Sequence, residues 1–147
     1  MNTLPRVGLI GLGAMGRGMA ASLRRAGYPM HVHDVRAEAA QAFVADGGGV
    51  ACASPAELAA RCEIVISVVV NAAQTDEVLF GARGAAAAMV PGSLFVMCST
   101  VDPNWSVALE GRLAERGLLY LDAPISGGAA KAASGQMTMM TAGTAAA

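Results

Sequence analysis

Short apolar runs alternate along the chain with longer segments whose apolar residues recur every three or four positions. Val7-Gly8-Leu9-Ile10 predicts a strand buried on both faces. Gly16 to Ala26 predicts a helix, with Met19, Ala20 and Leu23 at helical spacing and Gly27 as its stop. Met30 to Asp34 predicts a second strand, and Ala37 to Ala45 a second helix closed by Gly47-Gly48-Gly49. A brief strand at Val50 to Ala53 precedes Ser54-Pro55-Ala56-Glu57, where Ser54 suits the cap, Pro55 the first helical position and Glu57 the far side of a capping box. Glu63 to Val70, dense in isoleucine and valine, is the plainest strand. Gln74 to Phe80 reads as helix, the run through Ala88 as a short helix or turn, and Ser93 to Cys98 as strand. Asp102-Pro103 opens a helix to Arg116 that ends at Gly117, and Leu118 to Asp122 and Met137 to Ala142 read as the last strands.

Strands alternating with helices imply an α/β fold of Rossmann type, a doubly wound and mainly parallel sheet covered on both faces. No repeat, linker or charge block divides the chain, so residues 1–147 are expected to form one domain.

Composition narrows the possible partners. Charged residues make up 14% of the chain and the mean hydropathy is +0.49, which excludes a disordered polyampholyte. Thirty-two alanines make up much of the 54% hydrophobic fraction, so much of it is small side chains. A net charge of −1 and a pI near 6.1 leave no cationic excess for nucleic acid. The longest apolar runs fall short of the roughly 18 residues a membrane-spanning helix needs, and Met1 to Arg6 lacks the pattern of a secretory leader. Cys52, Cys62 and Cys98 fit neither a disulfide framework nor a metal knuckle, and read as buried thiols in a reducing, cytoplasmic compartment.

The chemistry begins at Gly11-Leu12-Gly13-Ala14-Met15-Gly16, a G-x-G-x-x-G between a predicted strand and a predicted helix. Gly11 permits a tight turn, Gly13 close approach of backbone to a pyrophosphate, and Gly16 packing of helix on strand. Asp34 follows Gly16 by 18 residues, near the spacing of an acid that accepts from ribose hydroxyls and repels a 2′-phosphate. NAD is therefore expected over NADP, with Val35 beside the acid and Arg36 near enough to soften the discrimination. His31 and His33 share one strand face with no third ligand for a metal, and His33 is placed to line the adenosine side. The ends of the later strands, Val69-Val70-Asn71, Ser99-Thr100-Val101 and Asp122 to Gly128, should border the same crevice. In the last, Ser126 offers a hydroxyl, and Gly127 and Gly128 offer accessible N–H groups, to a carboxylate.

The glycine loop with Met19-Ala20, Ser99-Thr100-Val101, and Asp122-Ala123-Pro124-Ile125-Ser126-Gly127-Gly128 through Gly135 together resemble the β-hydroxyacid dehydrogenases, whose members include 3-hydroxyisobutyrate dehydrogenases. The resemblance implies that Thr100 lies near the nicotinamide, and that Ser126, Gly127 and Gly128 hold the substrate carboxylate. It also carries cofactor contacts onto Val69, Val70, Asn71 and Gln74. Val68-Val69-Val70 stands where most members read Met-Leu-Pro, and Met97 where an Asp is common. The stretch from Val68 to Thr75 looks most like the branch that oxidises L-threonate. The family's proton-transfer lysine belongs to a second, all-helical domain, and the lone lysine here, Lys131, does not match its position. The chain is thus expected to be the NAD-binding part of a homo-oligomeric hydroxyacid oxidoreductase, binding NAD but turning over little substrate by itself. Its apolar composition leads to the expectation of an exposed apolar patch near the C-terminal segment, where a further domain or subunit would pack. A non-enzymatic NAD(P)-sensing module would share the glycine loop and Asp34. An NADPH-dependent reductase of the same family would not favour Asp34.

Overall fold

The computed structural model describes residues 3–147. Four-residue strands β1 (Val7–Ile10), β2 (Met30–His33), β4 (Ile64–Ser67), β5 (Leu94–Met97) and β6 (Leu119–Asp122) form the sheet with the two-residue strands β3 (Val50–Ala51) and β9 (Ala142–Gly143). The order is β3-β2-β1-β4-β5-β6-β9, parallel throughout except for β9 against β6. Five helices follow the parallel strands: α1 (Ala14–Arg25), α2 (Ala37–Gly47), α3 (Pro55–Ala59), α4 (Ala72–Phe80) and α5 (Pro103–Ala114). Alternate strand residues face opposite layers, as the period of two requires. Leu9, Val32, Ile66 and Val96 pack with Met19, Ala20 and Phe43 on the α1–α2 side. Val65, Phe95 and Met97 pack with Leu58, Leu79, Leu109 and Leu113 on the α3–α5 side.

Capping residues legible in the sequence sit where expected. The Ser54 hydroxyl accepts from the Glu57 N–H at 3.1 Å, and Asp102 accepts from the N–H of Asn104 at 2.8 Å. The return arm of the expected capping box is displaced by one residue, because Glu57 accepts from the Ala53 N–H rather than that of Ser54. The three cysteines are free and buried, and burial pushes the Cys62 and Cys98 thiols up to about 12. Among the described residues no helix is long and apolar enough to cross a membrane.

Two expectations need correction. The β4 strand stops at Ser67, not Val70, because Val68 to Val70 leave the sheet beyond the carboxyl edge. β-Branched residues suit any extended backbone, so this short run carried no signal of where pairing ends. Met137 to Ala142 is not one strand either. Thr138–Met139 (β8) pairs with Ile125–Ser126 (β7) in a separate two-stranded sheet, and only Ala142 and Gly143 reach β6. Between β7 and β8 lies α6 (Gly128–Ser134), and Met140 nearby stands 76% exposed.

Candidate functional site

The chain reverses direction across the sheet at β1: β2 and β3 lie on one side, and β4 onward on the other. Loops leaving β1 and β4 therefore diverge and open a crevice at the carboxyl edge. A cleft of about 460 Å³ lies there. Its floor is Ile10, Gly11 and Gly13, one wall is His33, Asp34 and Val35 after β2, and the other is Val68, Val69 and Val70 with Gln74, Glu77 and Val78 of α4. Pro55 and Arg83 close the far end.

The three fingerprint glycines do different things. Gly11 has φ +102°, and a Cβ there would collide with the Val68 carbonyl oxygen. A Cβ at Gly16 would strike the Gly11 carbonyl oxygen, so both positions are closed by the protein itself. Gly13 differs: a Cβ there would meet nothing within 4 Å. The absent side chain at Gly13 leaves room on the cleft side that no protein atom fills. Gly13 also caps α1, which has no side-chain cap and no acid in its first turn. The N–H groups of Ala14, Met15 and Gly16 thus have no intrahelical acceptor and present a partial positive charge. The Met15 side chain packs on the core below rather than into the cleft.

Asp34 is held from both sides. Its Oδ2 accepts from the Leu12 N–H at 2.7 Å and its Oδ1 from the Arg36 N–H at 2.9 Å, leaving the side chain 11% exposed. The acid therefore ties the glycine loop to the end of β2 and keeps further lone pairs for an incoming hydroxyl. Arg36 Nε stands 3.7 Å from Oδ1 on an exposed side chain outside the cleft lining. Val35 is 95% exposed beside it, an apolar surface on the cleft wall. His33 Nδ1 lies 2.9 Å from the Cys52 carbonyl oxygen, which can only accept, so that nitrogen carries a proton and donates. His31 does not reach the cleft; burial first, then Arg61 and Arg6, lowers its pKa.

The wall after β4 is stiffened from behind. Gln74 Oε1 accepts from the Val70 N–H at 2.9 Å, and Asn71 Oδ1 accepts from the Gln74 N–H at 2.9 Å, capping α4. The buried Ser99 hydroxyl donates to the Val69 carbonyl at 2.6 Å. Thr75 donates to the Asn71 carbonyl at 3.0 Å, so its 3.4 Å approach to Ser99 has no proton left to share. Gln74 lines the cleft and Asn71 does not, and the side-chain carbonyl oxygens of both are engaged in holding the loop.

Thr100, Ser126, Gly127 and Gly128 are exposed and lie outside this cleft's lining. The last three nevertheless come to the same edge. A Cβ at Gly18 would sit 2.8 Å from the Ala133 nitrogen, and one at Gly135 2.8 Å from the Ser22 hydroxyl, so α6 runs alongside α1 in the same direction. Ala14 and Gly128 precede that contact by four and five residues, about 6 and 7.5 Å of helix, which puts the starts of both helices nearly level.

The sequence reading missed Pro55, Glu77, Val78 and Arg83 on the cleft wall. Glu77 and Val78 follow Gln74 by about one turn of the same helix, a spacing that could have found them. Arg83 sits in an irregular turn with no periodic signal. Among the described residues no group of three His, Cys, Asp or Glu side chains could hold a metal ion.

Residues 6–147 match the family model described as the NAD binding domain of 6-phosphogluconate dehydrogenase. The chain is 63% identical over 139 residues to an L-threonate dehydrogenase of Cupriavidus necator, covering 95% of this chain and 46% of that protein. It is 37% identical over 137 residues to the human mitochondrial 3-hydroxyisobutyrate dehydrogenase, covering 93% of this chain and 40% of the other. Its structure superposes with a TM-score of 0.91 on a 3-hydroxyisobutyrate dehydrogenase of Salmonella typhimurium, at 41% identity, over 96% of this chain and 49% of that one. The chain spans about half the length of the curated relatives it matches.

Proposed function

The chain belongs to the family of NAD-binding domains of the 6-phosphogluconate dehydrogenase type, and from that membership we propose that residues 1–147 are the cofactor half of an NAD-dependent dehydrogenase of small hydroxyacids. The observation that carries the reading is the open space at Gly13, in a loop whose other two glycines are closed by the protein's own backbone. An extended anionic group such as a pyrophosphate fits there, against N–H groups that the helix leaves unclaimed.

NAD, when bound, supplies the carbon that accepts the hydride leaving the substrate's carbinol. The residues of this chain position both partners. The Gly11–Gly16 loop receives the pyrophosphate: Gly13, Ala14, Met15 and Gly16 offer backbone N–H groups, while Gly11 and Leu12, whose N–H groups are held by the His33 carbonyl and Asp34, shape the turn. Asp34 accepts from the ribose hydroxyls, and its charge disfavours a 2′-phosphate. Val35 covers one face of the adenine, and Arg36 lies at the outer rim. Val69 and Val70 wall the nicotinamide side, with Asn71 and Gln74 holding that wall, and Thr100 lies toward the nicotinamide. Ser126, Gly127 and Gly128 bind the substrate carboxylate. L-threonate is the favoured substrate, supported by the Val68-to-Thr75 stretch and by the likeness to the Cupriavidus enzyme. 3-Hydroxyisobutyrate is the second choice, supported by the human and Salmonella relatives. The proton acceptor is a lysine of a neighbouring helical domain, as the family resemblance implies, and the working protein is a homo-oligomer.

Calorimetric titration of this chain tests the reading. NAD is expected to bind saturably and more tightly than NADP, and L-threonate to bind more tightly once NAD is present. Tighter binding of NADP would reverse the cofactor assignment, and absence of any hydroxyacid effect would remove the role given to Ser126.

A further inference from the structure

Residues 125–139 form a small unit of their own beside the sheet. β7 and β8 pair through Ile125↔Met139 and Ser126↔Thr138, and α6 spans the space between them. Gly127, Gly128 and Gly135 all have positive φ, so the chain turns sharply at both ends of α6. The unit places only Ala132 fully in the core. Its seat is α1: Gly18 faces the backbone of Ala132 and Ala133, and Arg25 Nη2 donates to the Ala133 carbonyl at 2.6 Å.

Gly18 lies outside the G-x-G-x-x-G fingerprint, has ordinary helical φ, and is buried. Nothing about the α1 backbone therefore requires a glycine there. The requirement comes from across the interface. A Cβ at Gly18 would lie 2.8 Å from the Ala133 nitrogen and 3.2 Å from the Ala132 carbonyl carbon, and both are backbone atoms that cannot rotate away. Relief must come from one helix moving. α1 is anchored in the core by Met19 and Ala20, whereas α6 is seven residues with mostly exposed side chains. The shift therefore falls on α6, and Ser126 to Gly128 move with it because they are its N-terminal connection.

We infer that Gly18 is a positioning residue: its missing side chain sets how closely the Ser126–Gly128 loop stands to the Gly11–Gly16 loop. This rests on the proposed division of labour between the two loops for its functional meaning, but the seat itself is testable without any ligand. Amide hydrogen exchange of this chain with Gly18→Val is expected to show amides of residues 125–139 exchanging about tenfold faster or more, while Leu9, Val32 and Ile66 in the central strands keep their protection. Gly18→Ala should give the same pattern more weakly. Arg25→Gln, which removes the bond to Ala133 without adding volume, should give it too and guards against a misfolded valine variant. Unchanged exchange over 125–139 in all three variants overturns the inference, as does a uniform loss of protection over the whole sheet in all three.

The functional arm is a pair of titrations on the same variants. NAD affinity is expected to stay within about twofold, and L-threonate affinity in the presence of NAD to fall about tenfold. An equal loss of both affinities overturns the positioning role. If the unaltered chain binds no NAD, the proposed function fails, and the exchange measurement still decides whether Gly18 seats the loop.

Discussion

The two glycine loops at the carboxyl edge are built by opposite means. The Gly11–Gly16 loop joins two elements of the core: β1 is central in the sheet, α1 buries Met19 and Ala20, and Asp34 ties the turn to β2 through the Leu12 N–H. The Ser126–Gly128 loop is exposed, and its unit is carried by two residue pairs of strand, one buried alanine and its seat on α1. Integration into the core makes the first loop hard to alter without loss of fold. Attachment makes the second adjustable by side chains that never touch a ligand.

The sharpest way to break this contrast is at Gly16. Gly16→Val drives a side chain into the Gly11 carbonyl, and is expected to destabilise the chain by about 3 kcal/mol or more, read as a lowered urea midpoint. A midpoint shift no larger than that of a surface substitution would mean that the first loop is not integral to the core. Asp34→Ala comes next. It leaves the nearly buried Leu12 N–H without its acceptor, at about 1–3 kcal/mol, and should narrow the preference for NAD over NADP. Gly13→Ala separates ligand from fold within the same loop. Stability is expected within about 0.5 kcal/mol of the parent, because nothing lies within 4 Å of the added Cβ, while NAD affinity drops about tenfold. Ser126→Ala, in the exposed loop, should leave stability and NAD affinity unchanged and weaken only L-threonate.

The smallest effect expected is at the Arg6–Glu63 pair, which links the residue before β1 to the residue before β4. Glu63 Oε2 accepts from the Arg6 N–H at 2.7 Å, and its Oε1 from the guanidinium at 2.7 Å. The hydrogen bond from Arg6 is the main reason its carboxyl sits at about 2, below the ordinary 4.5. A depressed carboxyl stabilises the fold above the ordinary value, and that contribution is lost as pH falls from about 4.5 toward 2. Because both side chains are about half exposed, Glu63→Gln should flatten the acid limb of the stability–pH curve only slightly.

The legibility of these regions follows the same division. Gly11 to Gly16, Asp34, Ser54 and Asp102 were readable because each satisfies a local rule of spacing or capping. Val68 to Val70 misled because β-branched residues signal extension and not partnership. Asn71 and Gln74 were placed in the neighbourhood of the site, but their engagement with the loop backbone depends on how the chain turns after β4. Arg83 comes to the cleft through an irregular turn whose carbonyl accepts from the Ala56 N–H, a contact between distant segments that no periodicity announces. α6 was obscured for a different reason. Its sequence, Gly-Ala-Ala-Lys-Ala-Ala-Ser, has only alanine to show an apolar face, and its flanking strands are two residues each.

The sheet's two ends bear on a hazard that every open sheet faces. Both border strands, β3 and β9, are only two residues long, while the five between them have four each. β9 also runs against the direction of its neighbour. A newcomer strand seeking to extend the ladder finds almost no run of free backbone groups at either border, so the apolar interior strands are screened from the edge-to-edge pairing that seeds aggregates.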